Sequence, residues 1–227
     1  MLDAGPVHIA IVPSAPLMVP ELGRDADPQC RQLTAAACAA AATLPARWVA
    51  LGVGSHRTRV RCDAVGTFAG YGADLPVRLA PHAATAVAEL PLCALIAGWL
   101  REQVDPAATV EVHVLPEDLT AGQARAAGAE LRAGLDGAGV LVIADGAATL
   151  TPAAPGGFDP DSVAVQQQWD DALAAADTAA LAGLDGVLGR VAYQALAGLA
   201  GPGAAATELY RGAPYGVGYF VGTWVGA

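Results

Sequence analysis

The stretch V-H-I-A-I-V at residues 7–12, closed by Pro13 and Ser14, decides how the chain is read. It is short, rich in Val and Ile, and runs directly into turn residues, which is the signature of a β-strand rather than of a helix. Three further runs share these properties: Trp48 to Val53, Val110 to Leu115, and Val140 to Ile143. Helical patterns alternate with them. Asp27 stands as an N-cap before Pro28, and Thr120 with Gln123 has the spacing of a capping box. Further helices are predicted over Leu92 to Val104, from Asp159-Pro160 through Trp169, and over about Val187 to Leu199. Gly66 to Pro81 and Thr151 to Gly157 read as loops, and Gly201-Pro202-Gly203 as a turn. Glu208 to Val225 reads as a strand pair that completes the sheet. This order predicts an α/β fold of three layers, α/β/α, with a largely parallel or mixed central sheet.

The 227 residues are enough to close one sizeable core, and we expect one domain over residues 1–227. A net charge of -10 repels a phosphate backbone, and no arginine stripe offsets it, so nucleic acid is not an expected partner. Lysine and asparagine are both absent, a bias consistent with a GC-rich genome. Lysine's absence excludes a Schiff-base lysine, a Walker-type phosphate loop and a Ser/Lys dyad. Only three serines occur, none in a G-x-S-x-G turn, which argues against serine-hydrolase chemistry. The start of the chain carries Asp3 and no basic cluster, and Pro13, Pro16 and Pro20 break up the residues after the first strand, so no secretory signal is expected. The alanine tract around Ala35 to Ala42 is too short and too weakly apolar to cross a membrane. Cys30 and Cys38 fall on one helix about 12 Å apart, too far for a disulfide. Cys62 and Cys93 stand alone. With no C-x-x-C pair, the four thiols fit a reducing cytoplasm and buried packing.

In open α/β sheets ligands bind beyond the carboxyl ends of the strands. The groups found there are Ser14 after the first strand, Ser55-His56 after the second, Glu117-Asp118 after the third and Asp145 after the fourth. Parallel strands would bring all four to one edge. His8 is expected to pack within the sheet, while His82, in a loop, and His113, in the third strand, have no partner at metal-ligand spacing. Asp145 suits either a ligand contact or a cap on its own turn.

Segments in four regions of the chain resemble the class III extradiol ring-cleavage dioxygenase family, which takes in the LigB-like and Memo-like proteins. P-S-A-P-L-M-V-P-E-L-G at 13–23 is similar to that family's P-H-P-P-L-L-I-P-E-V-G opening. Gly54-Ser55-His56 resembles its second strand-end histidine, and G-T-F-A-G-Y-G at 66–72 its glycine-rich loop. A-D-G-A-A-T-L-T at 144–151 is similar to G-D-L-S-H-R-L-T, and A-P-Y-G-V-G-Y at 213–219 to A-P-F-G-V-G-Y. The resemblance implies the three-layer fold, and it implies an Fe(II) site whose residues are largely absent. Ser14 stands where the family has an iron-binding histidine, His56 where it has a second, and Ala148 where it has the acid/base histidine. Arg211 and Gly212 stand near the family's acidic ligand, and Glu208 is the nearest carboxylate.

Ring cleavage needs Fe(II) on two imidazoles and a carboxylate. A hydroxyl at 14 is a poor substitute ligand, and a methyl group at 148 removes a proton transfer worth about 10²- to 10⁴-fold. No cofactor is therefore expected. The sequence points to a pseudoenzyme or binding protein with a strand-end pocket of Ser14, His56, Asp145, Ala148, Arg211 and Tyr215, for a small anionic or aromatic molecule or a protein partner. Arg211 would repel a metal and attract a carboxylate or phosphate, or else be a surface arginine. Tyr215 and Tyr219 would line the pocket or pack in the core from one strand face. One alternative is an active Fe(II) dioxygenase with His56, Asp145 and Glu208 as rearranged ligands. Another is a structural subunit of a hetero-complex; a homo- or a hetero-oligomer would each be consistent with the chain.

Overall fold

The computed structural model describes residues 6–22, 27–83, 86–201 and 203–226; Asp3, Gly23 and Pro202 lie outside the described residues. Nine strands are described: β1 (Val7–Val12), β2 (Arg47–Gly54), β3 (Thr58–Val60), β4 (Val65–Thr67), β5 (Pro76–Arg78), β6 (Thr109–Pro116), β7 (Gly139–Ile143), β8 (Ala205–Gly212) and β9 (Tyr219–Gly226). Six α-helices accompany them: α1 (Pro28–Ala41), α2 (Leu92–Val104), α3 (Ala121–Ala133), α4 (Asp161–Ala174), α5 (Thr178–Leu181) and α6 (Arg190–Ala200). Seven strands form one sheet in the order β3-β6-β2-β7-β1-β9-β8, and β4 pairs with β5 apart from it.

The four runs read first from the sequence are the parallel heart of that sheet. β6, β2, β7 and β1 run in one direction, with Ile9 opposite Val140 and Leu51 opposite both His113 and Val142. β3, β9 and β8 are antiparallel to their neighbours, so the sheet is mixed. Strands buried on both faces read as unbroken apolar runs, and β7 is buried at every position. Val12, Ala50, Val112 and Leu141 pack with α1 and α2 on one face, while Ile9, Ile11, Val140 and Val142 pack with α3, α4 and α6 on the other. In β6 the alternate residues Glu111 and His113 are only half-buried, since the strand lies next to the sheet edge. The chain thus folds as three layers, α/β/α.

Helix starts follow the expected chemistry. Asp27 Oδ1 accepts from the backbone N–H of Gln29, with Pro28 in the first turn. Thr120 and Gln123 close both halves of a capping box. α3 and α6 approach so closely that glycine is required on each. A methyl group at 128 would lie 1.8 Å from the carbonyl oxygen of Ala195, and one at 198 would lie 2.0 Å from that of Arg125.

Several expectations need correction. Gly66 to Pro81 is not loop throughout, because β4, a 3₁₀ turn at 68–71 and β5 form a small hairpin in it. Three-residue strands are too short to show alternation. His8 is exposed rather than packed, since β1 is buried only from Ile9 onward. Cys62 is exposed, whereas Cys30 and Cys93 are buried as expected. Among the described residues no helix is long and apolar enough to cross a membrane.

Candidate functional site

The parallel strands deliver their following residues to one edge of the sheet. Ser14, Gly54, Glu117, Ala144, Asp145 and Gly189 line a cavity of about 180 Å³ there. Its centre is a tie between the ends of β1 and β7. The backbone N–H of Ser14 donates to Asp145 Oδ1 at 2.8 Å, beside the strand-like bond from Ala144 N–H to the carbonyl of Val12. The role of Asp145 as a cap is thereby met across the sheet rather than within its own turn. Loss of solvent pushes its carboxyl up to about 7, although the Ser14 N–H acts in the opposite sense. Behind it, Tyr193 on α6 donates to the carbonyl of Ala144 at 2.9 Å, and burial holds this phenol well above its usual range.

A larger cavity of about 600 Å³ adjoins the first and shares Val53 and Gly54 with it. Ser55, His56, Tyr71, Glu89 and Leu90 line this second space. His56 is exposed, and its Nδ1 lies 2.9 Å from Ser55 Oγ. Tyr71, Glu89 and Leu90 continue into a third space of about 490 Å³ with Val87 and Leu95. The three spaces form one cleft, with Asp145 at its inner end and Leu90 walling both outer spaces.

Two segments singled out for their sequence meet behind this cleft, and their glycines have a structural reason. Gly146 N–H donates to the carbonyl of Gly218, Gly218 N–H to that of Ala147, and Leu150 N–H to that of Gly216. The amide of Gln166, on α4, is wedged between them. A methyl group at 146 or at 218 would lie 2.1 or 2.2 Å from Gln166 Oε1. That oxygen accepts from Ala147 N–H at 2.8 Å, and Nε2 donates to the buried carboxylate of Asp170 at 2.8 Å. Burial pushes Asp170 up to about 6, opposed by the bond from Gln166 and by Arg211. Sequence reading missed Gln166 and Asp170, because a glutamine four residues before an aspartate on a helix carries no signal of a distant backbone partner.

Other expected members of the pocket stand elsewhere. Arg211 lies in β8, where it pairs with Glu208 at 2.6 Å and Asp171 at 2.8 Å. It is not among the cleft residues, so a guanidinium for an anionic ligand is missing there. Pairing with Arg211 also takes Glu208 out of any ligand set with His56 and Asp145. Tyr215 belongs to no strand; it sits in a 3₁₀ turn with φ 58° and ψ 23° and donates to Asp27 Oδ2. Tyr219 opens β9 and is buried. Ala148 is half-buried and packs against the core on the α1 and α2 side of the sheet. His113 does have a carboxylate partner, Glu111 at 2.8 Å, which Arg59 also holds through two bonds. His82 is exposed.

Among the described residues no three His, Cys, Asp or Glu side chains converge at metal-binding distance. At 14, the position resembling the first imidazole ligand, a serine lines the cavity, and its backbone N–H donates to Asp145.

No family's sequence pattern matches the chain, and no curated protein does. Among solved structures it is similar to an uncharacterized protein from Escherichia coli K12, with a TM-score of 0.60 at 12% identity. The match covers 96% of this chain and 99% of that one. At this identity the likeness is one of fold alone.

Proposed function

We propose that this chain is an extradiol-dioxygenase-like protein without the iron site, and that it binds a small organic molecule in the strand-end cleft. The observation that carries the reading is the lining of the inner cavity, where Ser14 brings a hydroxyl to the strand end. Where the resemblance calls for an imidazole facing a metal, that wall has a neutral hydroxyl, a poor ligand for ferrous iron. The imidazole that lines the cleft, His56, is bonded to Ser55, and Ala148 offers no group for proton transfer. A cleft of mixed polar and apolar wall at the carboxyl edge of a parallel sheet is where folds of this class take small molecules.

Metal loading tests it. Anaerobic titration with Fe(II), followed by desalting and metal analysis, is expected to leave far less than one equivalent bound and no oxygen uptake on adding protocatechuate. One equivalent of iron held by the wild type and lost in His56→Ala would overturn the reading.

A further inference from the structure

We propose that Asp185 is a site of spontaneous isoaspartate formation, where the amide of Gly186 closes on the neighbouring side-chain carboxyl and remodels the wall of the inner cavity. The chain has three Asp-Gly pairs, at 136–137, 145–146 and 185–186, and no asparagine that could feed the same rearrangement. Among the described residues the last pair alone brings the amide onto the carboxyl, with Gly186 N–H donating to Asp185 Oδ1 at 2.8 Å. Arg190 Nε lies 3.2 Å from the same oxygen and holds the carboxyl on that side of the turn. The Asp185 side chain is 85% exposed, and Gly186, with φ 84°, has no side chain to shield its nitrogen. At 145–146 the same chemistry is blocked, because Gly146 N–H is bonded to the carbonyl of Gly218 and the Gln166 amide fills the space beside it. At 136–137 the pair is exposed, but the bond made there runs from Arg47 to the Asp136 carbonyl and not from Gly137 to the carboxyl.

The bonds balance in two steps. The Gly186 nitrogen bonds to Asp185 Cγ while the hydroxyl of the protonated carboxyl leaves as water with the amide proton, which closes a five-membered succinimide. Water then opens the ring. Where it breaks the bond between that nitrogen and the main-chain carbonyl carbon of Asp185, the backbone afterwards runs through Cγ and the old carbonyl becomes a free carboxylate. Water lost in closing is regained in opening, and nothing is oxidised or reduced. The carbonyl converted in this way is the one that accepts from Trp169 Nε1 at 3.0 Å. The extra main-chain carbon also displaces the turn that follows, whose Leu188 and Gly189 wall the inner cavity. That turn is tied to the sheet end by Leu188 N–H on the carbonyl of Gly146 at 3.2 Å and by Gly189 N–H on that of Asp145 at 2.7 Å. A lengthened backbone strains both ties.

Ageing the purified full chain for several weeks in neutral buffer at body temperature tests the site. The aged protein is mapped with a protease that cuts before aspartate but not before isoaspartate, and electron-transfer fragmentation locates the linkage. Isoaspartate at 185 is expected to exceed that at 145 by about 10-fold or more, since residue 145 must first be opened to react, and to exceed that at 136 as well. In heavy-oxygen water each event at 185 should leave one labelled oxygen. Aged wild type should melt lower than fresh protein. Asp185→Glu, which keeps a carboxylate for Arg190 but closes only a slower six-membered ring, should age without either change. Residue 185 unmodified after ageing, or modified no more than 136 or 145, would overturn the assignment, and this comparison within the wild type holds whether or not the variant folds. Isoaspartate at 185 with an unaltered melt would overturn its effect on the cavity wall.

Discussion

At the scale of single residues, Asp145 makes the protein's stability depend on pH in an unusual direction. Its carboxyl titrates near 7 in the folded chain and near the ordinary aspartate value of about 3.9 when unfolded. Between those values the folded state holds a proton that the unfolded state has lost, so stability falls as pH rises through this window and levels off above it. Asp170, pushed up to about 6, adds a smaller slope of the same sign. Asp145→Asn keeps an oxygen for the Ser14 N–H and removes the titrating group. We expect the variant to melt higher than the wild type at pH 8, the gap closing towards pH 4; melting curves across that range check it. A wild type that grows more stable from pH 4 to pH 7 would contradict the assignment. The cysteines divide by exposure. Cys62 should react first with a thiol reagent in the native state, whereas Cys93, buried and pushed up to about 11, should wait for unfolding.

At the scale of elements, the glycine-rich block at 213–219 is an architectural joint. Gly218 and Gly146 leave room for one helical side chain, and Gln166 fills it. Gly146→Ala should lose about 1–3 kcal/mol in denaturant unfolding. Combined with Gln166→Ala it should lose less than the two single losses added together, because the clash disappears with the amide. Equal additive losses would show that the two sites do not touch. The α3–α6 crossing makes a sterner demand, and Gly128→Ala should cost at least about 2 kcal/mol, since backbone rather than a side chain must give way. These contacts also mark how far local pattern reaches. The four parallel strands, the capping residues at Asp27 and Thr120, and the shared edge of Ser14 and Asp145 are legible in the sequence from periodicity and chain direction. β3 and the β4–β5 hairpin are not, because three residues carry no period. The place of Arg211 is hidden too, since its partner Asp171 lies forty residues away on a helix. A resemblance in the glycine block draws attention to the right segment, yet its physical reason, the Gln166 wedge, lies in neither matched stretch.

At the scale of the whole molecule, the sheet is closed by the two ends of the described chain. β1 lies between β7 and β9, with Ile9 facing Val140 on one side and Trp224 on the other. Trp224 is buried and donates to the carbonyl of Leu173 on α4, so β9 also anchors the helix that carries Gln166. Deleting residues 219–226 should therefore abolish the cooperative melt altogether, whereas deleting exposed β3 contacts through Arg59→Ala should leave it nearly unchanged. The order of strands carries a consequence for birth on the ribosome. β1 is made before both of its neighbours, β7 and then β9, so the nascent chain must carry an apolar strand with open edges until residues 139–143 and 219–226 have emerged. Stalled chains ending before residue 219 should accordingly be digested by protease and held by chaperones, and release of β9 should confer resistance in a single step.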